Sequence, residues 1–131
     1  IVKVIRAKGL KNLDNVMGTG LDKSDPFVKL SSDVGSAKGR VIDNSLDPVW
    51  NESLVLCVND VQAAVKVEVW DHDVISKNDK LGSSSFKLHA DGPLPAEKPR
   101  TFELSLGSKC GSIELEVKWI PRSPETVVRM W

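Results

Sequence analysis

No stretch of this chain approaches the roughly 20 consecutive apolar residues that a membrane-spanning helix requires, so a helical membrane span is excluded. An excess of charge of one sign is also missing: 18 Lys and Arg offset 18 Asp and Glu. Proteins that hold nucleic acid by neutralising its phosphates carry a marked basic excess, which argues against that class and directs attention to local charge. Cysteine is scarce. Cys57 lies in an apolar, strand-like run and Cys110 beside Gly111, with no metal or redox spacing between them. They read as free thiols, in keeping with a reducing intracellular compartment. His72 and His89 lie in separate segments and no Ser or Cys sits in a recognisable nucleophile setting, so the chain is not read as an enzyme. It opens at Ile1 without a charged n-region or a cleavage site, as an excised domain would.

Helical periodicity is nearly absent as well, with at most one turn over 59–64. What recurs is a short, apolar, β-branched segment after each cluster of Gly, Pro, Asn, Asp or Ser. The strands expected are near 1–8, 26–31, 38–42, 52–58, 65–70, 81–88, 100–106 and 112–120. Alternation is clearest where Val65, Val67 and Val69 oppose Lys66, Glu68 and Trp70, and where Ile113, Leu115, Val117 and Trp119 oppose Glu114, Glu116 and Lys118. Each such strand buries one face and wets the other. At 131 residues, one domain with a sizeable core is the default. The expected fold is all-β, an eight-stranded antiparallel β-sandwich. The domain covers 1–120, and 121–131 is a tail, linker or docking piece.

Two segments exceed the usual loop length, 10–24 and 71–80, and long loops on a rigid sandwich are where function concentrates. The second holds Asp71, Asp73 and Asp79 at its first, third and ninth positions. A loop that folds over brings such carboxylates together, and Ca²⁺, which takes about six to eight oxygens in irregular geometry, suits them. Mg²⁺, Zn²⁺ and copper fit less well. Zinc calls for His or Cys, and strand alternation turns His72 away from Asp71 and Asp73. The loop is not an EF-hand, since it lacks the required Gly and Glu. A sandwich site needs a second loop, and 10–25 offers Asp14, Asp22 and Asp25. Any one Asp here is most simply a turn residue. Several uncompensated carboxylates held close together are tolerated best where a cation is expected.

Four motifs in order then resemble the C2 domains: Ser24-Asp25-Pro26-Phe27-Val28-Lys29-Leu30, Leu46-Asp47-Pro48-Val49-Trp50-Asn51-Glu52, Val67-Glu68-Val69-Trp70-Asp71-His72-Asp73 and Lys77-Asn78-Asp79-Lys80-Leu81-Gly82. The segment order looks like the permuted, type II topology. Gly18 and Gly20 in the long first loop, Arg40-Val41-Ile42-Asp43 and the closing 113–121 are most similar to the first C2 domain of extended synaptotagmins and tricalbins. The resemblance implies Asp14 and Asp25 as first-loop ligands and Asp71, Asp73 and Asp79 as third-loop ligands, with Ser76 assisting. It further implies that backbone carbonyls of Leu13, His72 and Lys77 would complete the shell for two or more Ca²⁺ ions. Asp22 falls in an inserted part of the first loop as a solvated residue, and Asp47 is a turn residue.

The implied function is Ca²⁺-dependent binding to anionic phospholipid, phosphatidylserine above all. Val16 and Met17 in the first loop and Val74 and Ile75 in the third would touch the membrane. Lys29, Lys38 and Arg40 are the nearest equivalent of a phosphoinositide site and read more simply as a solvated sheet face. The domain is expected to be monomeric and peripheral on the cytoplasmic side of a membrane. A contact site, with a link to lipid transport, follows if the parent protein adds a lipid-transfer domain and an anchor. A Ca²⁺-independent protein-interaction module is the competing reading.

Overall fold

The structure, a computed structural model, describes residues 1–12, 23–72, 78–89 and 98–120. Among these residues eight strands form: β1 Val2–Lys8, β2 Pro26–Ser31, β3 Ser36–Lys38, β4 Val49–Leu54, β5 Val65–Asp71, β6 Asp79–Phe86, β7 Pro99–Ser105 and β8 Ser112–Lys118. They build two four-stranded sheets, ordered β4-β1-β8-β7 and β3-β2-β5-β6. Each pairing within these sheets is antiparallel, and the described residues include no helix able to cross a membrane.

The two inward faces make one core. Val65, Val67 and Val69 of β5 meet Ile113, Leu115 and Val117 of β8, all buried, with Val4, Leu30, Trp50 and Leu81 among them. Because side chains alternate with a period of two, the expected inward residues of both strands are the observed ones. Trp50 is 1% exposed and its indole N–H donates to the carbonyl of Arg40 at 3.1 Å, so its single polar atom is satisfied.

Several strand limits differ from expectation. The run 39–42 does not continue β3: its amides donate sideways, Gly39 to Val28 and Ile42 to Pro26. The β4 strand begins at Val49, directly after Pro48, and ends at Leu54, so 55–58 crosses between sheets and Cys57 is exposed outside any strand. Glu68, expected on the wet face, is 6% exposed, because Lys66 and Lys80 close over it. The other shifts are of one or two residues. One of them matters for the site: β6 starts at Asp79 rather than Leu81.

Strand directions define the two ends. The C-terminus of β5 at Asp71 lies beside the start of β2 at Pro26 and the start of β6 at Asp79. At the opposite end are the β2–β3 turn with Val34, the first residue Ile1, and Val55 and Ile120, whose side chains are exposed. Ile1 and Lys118 exchange backbone hydrogen bonds there, which brings residues 1 and 118 side by side.

Candidate metal centre

Asp71 continues the inward parity of Val65, Val67 and Val69, and its carboxylate emerges where the β3-β2-β5-β6 sheet ends. Only 2% of the residue is exposed. The amide of Asp25 donates to Asp71 Oδ1 at 2.8 Å, and the amide of His72 donates back to the carbonyl of Asp25 at 2.9 Å. Two loop bases are thus hydrogen-bonded to each other before any ligand enters.

The third carboxylate arrives through a register change. Val69 pairs with Gly82, but Trp70 pairs with Lys80 and Asp71 with Asp79, so Leu81 is the extra residue of a β-bulge. Without it the ladder would place Lys80 opposite Asp71. With it, two aspartates face each other across adjacent strands, a like-charge pairing that destabilises a bare sheet. Lys80 is displaced along the strand and sits instead 3.0 Å from Glu68, with its ammonium 5.5 Å from the Trp70 ring centre.

The first loop is gathered at its base. Ser24, wholly buried, donates its hydroxyl to the carbonyl of Lys11 at 2.8 Å, which ties together the two stems of 12–23. On the far side of Asp25 lies Asn44, with a left-handed φ of 54°. Its amide donates to Asp25 Oδ1 at 2.7 Å and its side-chain oxygen accepts from the Lys23 amide at 2.6 Å. Sequence reasoning gave Asn44 no role. The only signal was a turn cluster, Asp43-Asn44-Ser45, and the hydrogen bonds span 19 and 21 residues.

Of the expected ligands, Asp25, Asp71, His72 and Asp79 are therefore described, and the three carboxylates belong to one end of one sheet. The His72 ring points away, edge-on to Phe27 at 6.3 Å, as alternation requires. Leu13, Asp14, Asp73, Ser76 and Lys77 lie outside the described residues, as do Asp22 and the apolar candidates Val16, Met17, Val74 and Ile75. Among the described residues alone, no three His, Cys, Asp or Glu side chains group closely enough to hold an ion. The donors present are oxygens, which suits a hard cation. Asp47, expected as a turn residue, accepts from the Gly9 amide at 2.9 Å and so ties the loop before β4 to the end of β1, 38 residues away.

The basic residues on the outer face of the same sheet are only partly as expected. Lys29 and Lys38 face each other across β2 and β3, and the Lys38 ammonium lies 4.6 Å from the centre of the Phe27 ring. Arg40 is drawn off: its guanidinium donates to the Trp50 carbonyl, and its amide donates to Glu52 at 2.9 Å.

Comparison with known proteins agrees with this architecture. The C2 domain family matches residues 1–117. Synaptotagmin-4 of Arabidopsis thaliana is 37% identical over 124 residues, 92% of this chain and 20% of that protein. Protein C2-DOMAIN ABA-RELATED 4 of the same plant is 38% identical over 74 residues, 56% of this chain and 42% of the relative. This chain thus spans less than half the length of these curated relatives. Among solved structures, the first C2 domain of plant Extended Synaptotagmin 1 superposes with a TM-score of 0.78 at 29% identity, covering 93% of each chain. The calcium-bound pair of C2 domains of Extended-Synaptotagmin 2 gives 0.69 at 26% identity over 90% of this chain and 44% of that one. With β8 inserted between β1 and β7, the strand order is that of the type II topology. The chain belongs to the C2 domain family, a family of binding modules, and has C2 domains of extended synaptotagmins among its structural relatives.

Proposed function

We propose that this C2 domain binds Ca²⁺ at the Asp71 end and thereby attaches to anionic phospholipid membranes, as a targeting or tethering module of a longer protein. The observation that carries this reading is the bulge at Leu81, which sets Asp79 rather than Lys80 across from Asp71. Stability alone favours the opposite choice, since an Asp–Lys pair would gain about what an Asp–Asp pair loses, roughly 0.2–1 kcal/mol each. An arrangement that gives up an available ion pair to gather carboxylates suits a divalent cation. The calcium-bound relative supports the same choice of ion.

Asp14, Asp73 and Ser76, with the carbonyls of Leu13, His72 and Lys77, are assigned to the remaining oxygens. Five carboxylates carry about −5, and two Ca²⁺ ions would bring the loop end to roughly −1. That change removes the repulsion toward anionic headgroups. Bound Ca²⁺ would also supply coordination positions that lipid phosphates fill, so that each ligand raises the affinity for the other. Val16, Met17, Val74 and Ile75 are assigned to the acyl boundary. Lys29 and Lys38 are left as a minor site at most, because Arg40 is engaged elsewhere. A peripheral position on a cytoplasmic membrane face, at a contact site where the parent protein provides the second anchor, follows from this role.

Sedimentation with phosphatidylserine vesicles tests the proposal. Binding should require Ca²⁺, vanish with chelator, and be lost in Asp71→Asn. Binding to protein partners but not vesicles, unchanged by chelator, would replace it with a Ca²⁺-independent interaction module.

A further inference from the structure

Between β3 and β4, the turn at 42–45 runs alongside the segment that leads into β2. Ile42 donates its amide to the Pro26 carbonyl at 3.0 Å and Ser45 donates to the Ser24 carbonyl at 2.9 Å. Between these two backbone bonds, Asn44 makes two that involve side chains. Its amide donates to Asp25 Oδ1 at 2.7 Å, and its own Oδ1 accepts from Lys23 at 2.6 Å. Asp25 in turn donates its amide to Asp71 Oδ1 at 2.8 Å. A continuous chain of hydrogen bonds thus runs from Lys23 through Asn44 and Asp25 to the buried Asp71.

We infer that Asn44 is a positioning residue for the cation site: it fixes the rotamer of Asp25 and the backbone at Lys23 before a cation arrives. The inference rests on the Ca²⁺ reading above and assigns a role to a residue outside both candidate ligand loops. The residue type is determined by two demands. A φ of 54° is a conformation that Asn adopts at little cost and most other residues do not. The bond to Lys23 needs a short side chain with an acceptor, which Gly cannot supply. The Asn44 amide uses one acceptor position on Asp25 Oδ1 and holds the carboxylate in one orientation, so less rotamer freedom is lost when a cation binds. Hydrogen-bonding partners that orient a ligand in this way typically contribute ten- to a hundredfold in metal affinity.

The test is calorimetric titration of Ca²⁺ into the wild-type chain, Asn44→Ala and Asn44→Gly, with amide hydrogen exchange on the metal-free proteins. Asn44→Ala loses both features and should bind Ca²⁺ about tenfold more weakly or worse. Asn44→Gly keeps the backbone conformation and should lose less. In Asn44→Ala the amides of residues 23 and 44 should exchange faster, in Asn44→Gly that of residue 23 alone, while that of Val67, in the core of β5, changes in neither. If Asn44→Ala does not fold, the Gly variant decides, and it must bind more weakly than wild type. Wild-type affinity in a folded variant would overturn the inference while leaving the Ca²⁺ reading intact. Absence of Ca²⁺ binding by the wild-type chain itself would overturn both.

Discussion

Glu68 and Lys80 form a pair in which one partner is buried and the other is not, and that asymmetry makes an unusual prediction. The Glu68 side chain is 8% exposed, whereas Lys80 at 3.0 Å and Lys66 at 3.7 Å are 40% and 55% exposed. Neutralising the carboxylate in Glu68→Gln releases two ammonium groups that water already reaches, and Gln still fills the space. The loss should be that of surface pairs, about 1 kcal/mol. Removing Lys80 instead leaves a desolvated carboxylate with only the longer contact to Lys66. Breaking a fully buried pair costs about 3–5 kcal/mol; with half-exposed lysines and one remaining partner, about 2 kcal/mol is expected for Lys80→Met. Met retains most of the stem that lies over Trp70 but loses the cation–π contact, a further ~0.5 kcal/mol. At roughly 4 °C per kcal/mol for a domain of this size, the melting temperature should fall by about 4 °C in Glu68→Gln and about 10 °C in Lys80→Met. The decisive sample is the double variant. If an orphaned carboxylate causes the loss, Glu68→Gln/Lys80→Met melts above Lys80→Met alone. A double variant no more stable than Lys80→Met, or a Glu68→Gln less stable than it, would show that the orphaned carboxylate is not the cause of the loss.

Three further outcomes can be checked on the metal-free protein. Gly111 has φ +81° and a Cβ there would collide with the Lys8 carbonyl oxygen, so Gly111→Ala should cost at least about 3 kcal/mol in urea unfolding, whereas Gly35, where a Cβ meets nothing within 4 Å, should tolerate Ala within about 0.5 kcal/mol. Trp50→Ala removes a fully buried indole and the donor to Arg40, and should lower stability by about 3–5 kcal/mol in the same assay. A thiol reagent should label the exposed Cys57 in the native protein but reach the buried Cys110 only after unfolding; fast native labelling of both would contradict the packing around Gly107 and Gly82.

The strands that could be read from sequence are those whose alternation is driven by burial on one face, β5 and β8 above all. Where the alternation lapses, local pattern misleads. The run 55–58 looks like the rest of a strand but is a crossover, and Val49 and Trp50 look like loop after Pro48 but begin β4. Glu68 follows the strand period correctly and is still buried, because neighbouring lysine stems, not the sheet, remove it from water. At the site, the carboxylates Asp25, Asp71 and Asp79 were legible as Asp-rich loop bases. The bulge that turns Asp79 toward Asp71 was not, since an extra residue in a strand leaves no mark in hydropathy when that residue, Leu81, is itself a core side chain. Nor was Asn44: its contacts join segments about 20 residues apart through backbone amides, which no residue pattern encodes.

In the proposed function, carboxylates at the Asp71 end bind Ca²⁺ and so create a membrane-binding surface. Isothermal titration of Ca²⁺ into the chain, repeated with phosphatidylserine vesicles present, decides whether they do. Saturable binding that tightens when vesicles are added, and that Asp71→Asn abolishes in both conditions, is the predicted result. No heat of binding in either condition, with vesicle association indifferent to chelator, would contradict it.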